Sequence, residues 1–260
     1  MRIASVGHAV FAVVLVALGI IGWMHGNFAP IWDPVPKGVP AREVLVYLCA
    51  FISLATGIGL LWRRTAAFAA RLLFAWSLLW LLVFRMPSIL SEPLFGALWS
   101  VFPTAVLVAA AWVLYSWFAT DWDRRHLGFG LGGAARRIAR ALYGLALVFF
   151  GLAHFIDLRD TVVLEPGWLP WHVFWAYFFG CAFIAAGVGV LIGVCARLAA
   201  ALSTVEIGLF TLVVWVPIVA AGSKSAFQWS ETVLSFALTA CAWVVADSYR
   251  GTPWLAVGKP

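Results

Sequence analysis

Residues 166–193 read PGWLPWHVFWAYFFGCAFIAAGVGVLIG and decide the fold, because the same pattern occurs earlier in the chain. Residues 36–63 read PKGVPAREVLVYLCAFISLATGIGLLWR and align with the later stretch at an offset of 130, without a gap. Each copy is a short proline-containing segment followed by an apolar run of about 20 residues, which is the length of a helix that crosses a hydrocarbon core. The stretch therefore predicts a transmembrane helix that occurs twice.

The alignment extends to residues 36–87 over 166–217, where 15 of 52 positions are identical. Apolar composition produces chance matches among Ala, Leu and Val, so the proline, tyrosine and glycine pairs carry the argument. These pairs are Pro36/Pro166, Pro40/Pro170, Tyr47/Tyr177, Gly57/Gly187, Gly59/Gly189 and Pro87/Pro217. Upstream, an offset of 129 pairs Gly22 with Gly151 and His25 with His154. The sequence thus predicts two copies of a four-helix unit.

The composition indicates a membrane protein, since 64% of the residues are hydrophobic and only 11% are charged. This exceeds the apolar content of ordinary soluble domains. The apolar runs also lack the alternation of membrane-spanning β-strands. These features exclude a secreted domain, a cytosolic enzyme and an outer-membrane barrel. In a spanning protein the net charge of +6 indicates topology, so no nucleic-acid partner is expected.

We predict an all-α polytopic membrane protein with spans at residues 6–24, 44–62, 66–86, 98–118, 139–156, 173–193, 198–219 and 230–247. An even number of spans per copy gives both copies the same orientation, with a pseudo-twofold axis along the membrane normal. The predicted domains are a first four-helix repeat at 1–120, a cytoplasmic Arg/Gly-rich linker at 121–138 and a second repeat at 139–260. Pro87 and Pro217 are expected to end the third and seventh spans.

The basic residues predict the orientation. Of the 17 Lys and Arg residues, 12 fall on the side that holds both termini and the linker. The other side has Lys37, Arg42, Arg85, Arg159 and Lys224. Because basic residues concentrate in cytoplasmic loops, both termini are expected in the cytoplasm and the protein in the inner membrane. The scattered cysteines disfavour a disulfide redox centre or a cysteine zinc site, and no metal site is predicted.

The second half resembles the DoxX-like four-helix membrane proteins. The residues that carry this resemblance are Gly151-x-x-His154-Phe155, Pro166-x-Trp168-Leu169-Pro170 and the glycine-rich helix that follows. The first half looks like a degenerate copy. The resemblance implies a four-helix fold for each half. Named members resemble small subunits that hand electrons to quinone, which implies a redox or quinone-associated membrane component.

His25 and His154 end the predicted spans 1 and 5 at equal depth. If these helices flank the pseudo-twofold axis, the two imidazoles could face one another, as in a bis-histidine haem or small metal site. Alternatively, each histidine caps the C-terminus of its own helix. We predict that any ligand lies in the outer half of the bundle, walled by spans 1, 2, 5 and 6. Trp168 and His172 belong to the loop that would cover it.

Glu206 lies near the middle of the predicted seventh span, where an ionised carboxylate is costly. It should therefore face the protein interior, carry a proton or pair with a base, and Arg71 in span 3 is the predicted partner. One interpretation is a buried ion pair that locks the two halves together. The other is a proton-accepting or ligand-orienting site.

Small residues form a face on spans 2 and 6, at Ala55, Gly57 and Gly59 and at Ala185, Gly187 and Gly189. Such faces allow close helix packing, and a cavity for a flat ring or lipid tail is the alternative. Two classes of function remain open. One is a redox component with quinone or haem as cofactor. The other is a non-catalytic lipid-binding or small-molecule-binding protein, or a structural subunit with other membrane-protein subunits and the lipid bilayer as partners.

Overall fold

The computed structural model describes residues 4–258, and the regular structure within them is helical. Eight helices in this part of the chain are long and apolar enough to cross a membrane, which confirms the predicted all-α polytopic class. The chain is therefore an integral, multi-pass membrane protein. Its spans are Val6–His25, Arg42–Leu61, Ala66–Ser91, Leu94–Phe118, Gly132–Ile156, His172–Ile192, Ala196–Ala220 and Ala226–Asp247.

The helices are numbered in chain order. They are α1 (Val6–His25), α2 (Arg42–Leu61), α3 (Ala66–Trp80), α4 (Ser88–Ser91), α5 (Leu94–Phe118), α6 (Asp121–His126), α7 (Gly132–Ile156), α8 (Leu158–Leu164), α9 (His172–Ile192), α10 (Ala196–Leu209), α11 (Val216–Ala220) and α12 (Ala226–Asp247).

The chain forms two compact units, Met1–Ala139 and Arg140–Pro260. The division between them falls inside α7, which begins at Gly132, earlier than the predicted start at residue 139. Residues 134–142, AARRIARAL, are mostly strong helix formers, which explains the early start. The predicted linker at 121–138 holds α6 and the first turns of α7, and both belong to the first unit.

In the first unit α1 packs on α2, α2 on α3 and α3 on α5. Glycine makes the first of these contacts close. A Cβ added at Gly57 would lie 2.7 Å from the carbonyl oxygen of Ala12, and one at Gly19 would lie 2.6 Å from the nitrogen of Leu54. The backbones of α1 and α2 thus approach at positions where only glycine fits.

The second unit has the same kind of contact between α7 and α9. A Cβ at Gly187 would lie 2.6 Å from the carbonyl oxygen of Gly144, and one at Gly151 would lie 2.5 Å from that of Gly180. Helix α9 also packs on α10, and α10 packs on α12. At Gly57 and Gly187, the small-residue faces therefore serve helix packing.

Pro87 and Pro217 do not end their spans, which continue to Ser91 and Ala220, so that prediction is wrong. A π-helical turn precedes each proline, at Leu81–Arg85 and at Phe210–Trp215. Proline lacks an N–H group and clashes with the carbonyl four residues earlier in an α-helix. A wider π turn changes the hydrogen-bond register and lets the helix continue past the proline.

Candidate functional site

The second unit holds a histidine against a group of aromatic rings. His154, half-buried near the end of α7, donates its Nδ1–H to the carbonyl oxygen of Phe150 at 2.7 Å. The ring centroid of His154 lies 5.6 Å from that of Phe183 and 5.8 Å from that of Phe210. Because Nδ1 is the donor, Nε2 of the neutral ring is left as a hydrogen-bond acceptor.

The aromatic rings come from two helices. Phe183 is on α9 and Phe210 opens the π turn after α10, and their rings are stacked with centroids 6.2 Å apart. Phe179, one turn before Phe183, contacts Phe210 edge-on at 4.9 Å. Such rings form an apolar wall with flat faces, suited to a planar apolar molecule.

Glu206 lies on α10 one turn before Phe210, so the two side chains share a face of the helix. The residue is only 8% exposed. Within residues 4–258, its buried Oε1 has no hydrogen-bond partner. Buried polar groups in proteins are almost always paired, so an unpaired carboxyl oxygen in a membrane span calls for an explanation.

Hydroxyl groups line the same region of the second unit. On the face of α10 that holds Glu206, Ser203 lies 2.9 Å from the hydroxyl of Tyr143. In the π turn, Thr211 Oγ1 lies 2.6 Å from Ser235 Oγ and 3.1 Å from Thr239 Oγ1, both on α12. These hydroxyls satisfy one another or backbone carbonyls, whereas Glu206 Oε1 does not share in such a pair.

Arg71 has its partners within the first unit. Its Nε lies 2.7 Å from Oδ1 of Asp123, and its guanidinium lies 4.8 Å from the ring centroid of Trp122. Both partners are on α6, which folds back on the first unit. The fully buried Asp123 also receives hydrogen bonds from the backbone and hydroxyl of Thr120, at 2.8 and 2.6 Å. The ion pair of Arg71 therefore anchors α6.

His25 is exposed at the end of α1, and its Nδ1–H donates to the carbonyl oxygen of Ile21 at 3.0 Å. His25 and His154 thus each donate to the carbonyl oxygen four residues earlier in their own helix. This local arrangement corresponds to the helix-capping alternative, with the acceptor in the histidine's own helix instead of a loop.

Trp168 and His172 lie in the loop and helix start that follow α8. Trp168 is 73% exposed, and His172 is the first residue of α9. Burial raises the pKa of the neighbouring Glu165, and the charge of His172 opposes this shift. Within the part of the chain that the structure describes, no hydrogen bond or ring contact joins His154 to Trp168 or His172.

A second polar site, not predicted from the sequence, lies in the first unit, where the α1–α2 loop folds into the bundle. Trp32 of this loop is 1% exposed, and its Nε1–H donates to Ser53 Oγ at 3.0 Å. Trp80 Nε1–H donates in turn to the carbonyl oxygen of Trp32 at 3.1 Å. In the repeat alignment at an offset of 130, Ser53 corresponds to Phe183 and Trp80 corresponds to Phe210.

Arg85 holds this loop from the π turn of the first unit. The residue is fully buried, and it donates through Nη2 to the carbonyl oxygen of Asp33 at 2.7 Å, through Nη1 to that of Pro34, and through Nε to Thr104 Oγ1 at 3.1 Å. Partial burial raises the pKa of Asp33, while Arg42 and Arg85 oppose the shift. An arginine inside an apolar run was the signal for this site, because such residues are costly unless paired.

The two units therefore differ in their interiors. The first is filled by its own loop, whose Phe28, Ile31 and Trp32 are buried. In the second, the corresponding loop leaves Trp168 and Trp171 exposed, at 73% and 79%.

The chain matches no family model, no curated protein and no solved structure with which it was compared.

Proposed function

We propose that this membrane protein binds a lipophilic molecule with a flat, carbonyl-bearing head, of which quinone is the type, in its second unit. The observation that carries the proposal is the buried Oε1 of Glu206 without a hydrogen-bond partner. A carboxylate without a cationic partner is costly in a membrane interior, so Glu206 is expected to carry a proton. A protonated carboxyl can donate to a ligand carbonyl.

The neighbouring groups supply the other requirements of such a ligand. Nε2 of His154 is an acceptor that suits a ligand hydroxyl, as in a reduced quinone. The rings of Phe183 and Phe210 present flat apolar faces beside it. The chain's own residues thus bind and orient the head group, and electrons would come from a partner subunit. The resemblance to DoxX-like proteins and their quinone-linked members also supports this function.

Haem finds less support than quinone. A bis-histidine site needs a free ring nitrogen on both histidines and space over the iron. The Nδ1–H bonds of His25 and His154 leave Nε2 of both rings free, so the nitrogen requirement is met. The His154 ring, however, packs against Phe183 and Phe210, which restricts the space for iron beside it. An absorbance spectrum of the purified protein tests this directly, since haem has visible bands that tryptophan lacks.

The binding test uses the detergent-purified chain titrated with decylubiquinone, with quenching of intrinsic tryptophan fluorescence as the signal. Glu206→Leu removes the donor and is expected to weaken binding at least about tenfold, the cost of leaving a ligand carbonyl unpaired. Glu206→Gln keeps an N–H donor and is expected to lose less. Glu43→Gln, an exposed carboxyl in the first unit, is the matched control and should bind normally.

The stability of the variants separates a binding role from a structural one. Replacing an unpaired buried carboxyl by an apolar side chain is expected to leave the unfolding midpoint of Glu206→Leu unchanged or higher. His154→Ala should weaken decylubiquinone binding as well. Normal binding by both Glu206→Leu and His154→Ala would refute the proposed site, and no binding by the unaltered chain would refute the quinone proposal.

A non-catalytic structural subunit is the second candidate function. The exposed indoles of Trp168 and Trp171 favour it. Exposed aromatic side chains in a loop between two spans anchor proteins to lipid headgroups or to other subunits. This candidate predicts a larger complex after mild solubilisation, which Trp168→Ala and Trp171→Ala together should dissociate.

We also propose, from the basic residues, that both termini lie on the cytoplasmic side of the inner membrane.

A further inference from the structure

We propose that the end of the first unit that carries α6 binds anionic phospholipid headgroups. The site is formed by exposed arginines on three segments: the α2–α3 turn, α6 and the first turns of α7. They are Arg63, Arg64, Arg124, Arg125, Arg136 and Arg137. These six residues are called the arginine face.

The orientation of α6 creates the arginine face. Asp123 points into the unit, is fully buried and pairs with Arg71. Thr120 closes a capping box with Asp123 at the start of the helix, so the first turn of α6 is held firmly. Arg124 and Arg125, the next two residues, are consequently turned outward and are exposed.

The carboxylates at this end leave the positive charge uncompensated. Among the described residues of α6 and the segments beside it, Asp121 is the exposed carboxylate, while Asp123 is buried in its pair with Arg71. This end of the first unit therefore has six exposed guanidinium groups and one exposed carboxylate among these segments. The excess favours an anionic partner.

The chain's connection to two spans and one hydrogen bond keep α6 and the start of α7 at the level of the membrane surface. The segment 119–131 joins two spans, α5 and α7, and the carbonyl oxygen of Gly130 accepts a hydrogen bond from Trp112 Nε1 at 2.8 Å. Trp112 is six residues before the end of α5, or about 9 Å along the helix, so the segment lies back along α5.

Exposed indoles accompany the arginines. Trp62 and Trp122, beside Arg63 and Arg124, are 64% and 50% exposed. Tryptophan next to arginine is typical of residues at headgroup level, where the indole enters the interface and the cation meets the phosphate. A soluble acidic protein would not require apolar rings at this position. The combination therefore favours an anionic lipid over an acidic protein.

The test measures the preference of the full-length chain for phosphatidylglycerol over phosphatidylcholine. The chain is reconstituted in phosphatidylcholine vesicles with a trace of either spin-labelled lipid, and the motionally restricted fraction gives the relative association constant. A single arginine at an anionic surface is worth roughly a fivefold change in affinity. The R124Q/R125Q/R136Q/R137Q variant is therefore expected to lose the preference by at least about fivefold, the value of one arginine. The K37Q/R159Q/K224Q variant, with exposed cations elsewhere, should keep it.

A second variant, R63Q/R64Q, leaves α6 and α7 unaltered and is expected to reduce the preference by a smaller factor. It keeps the proposal testable if the fourfold variant does not fold. Salt at 1 M should also reduce the preference, because it shortens the screening length to about 3 Å. An unchanged preference in both arginine variants would refute the proposal. Displacement of the labelled lipid by inorganic phosphate, at constant ionic strength, would instead indicate a site for free anions and would also refute it.

Discussion

Nη2 of Arg85 donates a hydrogen bond of 2.7 Å to the backbone carbonyl of Asp33, 52 residues earlier in the chain. This bond joins the π turn of the third span to a loop that would otherwise leave its carbonyl groups unpaired inside the bundle. Planar guanidinium suits this role because it presents several donors in fixed directions. The matching position in the second unit is Trp215, whose indole has a single N–H donor.

Arg85→Gln is expected to destabilise the first unit by about 1.5–3 kcal/mol, because it removes charge-assisted hydrogen bonds and leaves buried carbonyls unpaired. The variant should show a lower thermal unfolding midpoint in detergent. It should also be cleaved faster by trypsin at Lys37 in the loop. Arg159→Gln, which alters an exposed arginine, serves as the control and is expected to behave like the unaltered chain. Equal midpoints and equal cleavage for Arg85→Gln would contradict the role of this residue.

The contribution of Asp123 to stability is expected to depend on pH. Burial alone raises the pKa of Asp123, but hydrogen bonds from the hydroxyl and backbone of Thr120 and the pair with Arg71 outweigh it, so the pKa lies below its usual value. A carboxyl with a lowered pKa stabilises the fold above its unfolded value of about 3.9, and this contribution is lost as the pH falls through the folded value.

Asp123→Asn should therefore be less stable than the unaltered chain at neutral pH, by about 0.5–2 kcal/mol, the range for losing a helix cap. The difference in unfolding midpoint is expected to shrink as the pH falls below about 4. Midpoints measured by circular dichroism across the acidic range test this. A difference that stays constant with pH would show that the charge of Asp123 does not contribute.

Gly187→Ala is expected to separate α7 from α9, because the new Cβ would lie 2.6 Å from the carbonyl oxygen of Gly144. A backbone atom cannot move aside as a flexible side chain can, and the expected loss is about 1–3 kcal/mol. Gly96→Ala, in α5, meets no atom within 4 Å and is the matched control. It should be as stable as the unaltered chain, or more stable because alanine favours helix. If the two variants unfold alike, the close crossing of α7 and α9 is wrong.

Cysteine labelling tests the predicted orientation. In a variant with all four native cysteines replaced by serine, Arg125→Cys on α6 should react with a membrane-impermeant maleimide only after the inner membrane is opened. Asp160→Cys on α8 should react in intact spheroplasts. The reverse pattern would overturn the assignment of both termini to the cytoplasm. Both residues are exposed, so each label is expected to reach its site.

Much of the fold could be predicted from the sequence, because a helix that spans a membrane must be apolar over a fixed length. The eight apolar runs were sufficient to predict the eight spanning helices found among residues 4–258. The parallel arrangement of two repeats stays a prediction. The ends of the third and seventh spans were predicted wrongly, because whether a helix continues past Pro87 or Pro217 depends on its backbone hydrogen-bond register.

The candidate site could be predicted only in part. His154 and Glu206 stand out in the sequence, since one recurs in the repeat and the other is an acid inside an apolar run. The pair of Arg71 with Asp123 was not predicted, because the depth of Arg71 in the bundle does not identify the side chain that reaches it from α6. Arg85 was counted only among the basic residues on the side opposite the termini. The structure shows that its guanidinium holds a loop that folds into the bundle.

By itself, then, the sequence determined which segments lie in the membrane, because the bilayer selects them by apolar length along one dimension. Only the tertiary structure decided the partners of Arg71 and Arg85, and it left Oε1 of Glu206 without one. A buried charge or hydrogen-bonding group takes its partner from whatever the packing brings within about 3 Å, and that neighbour can lie anywhere in the chain.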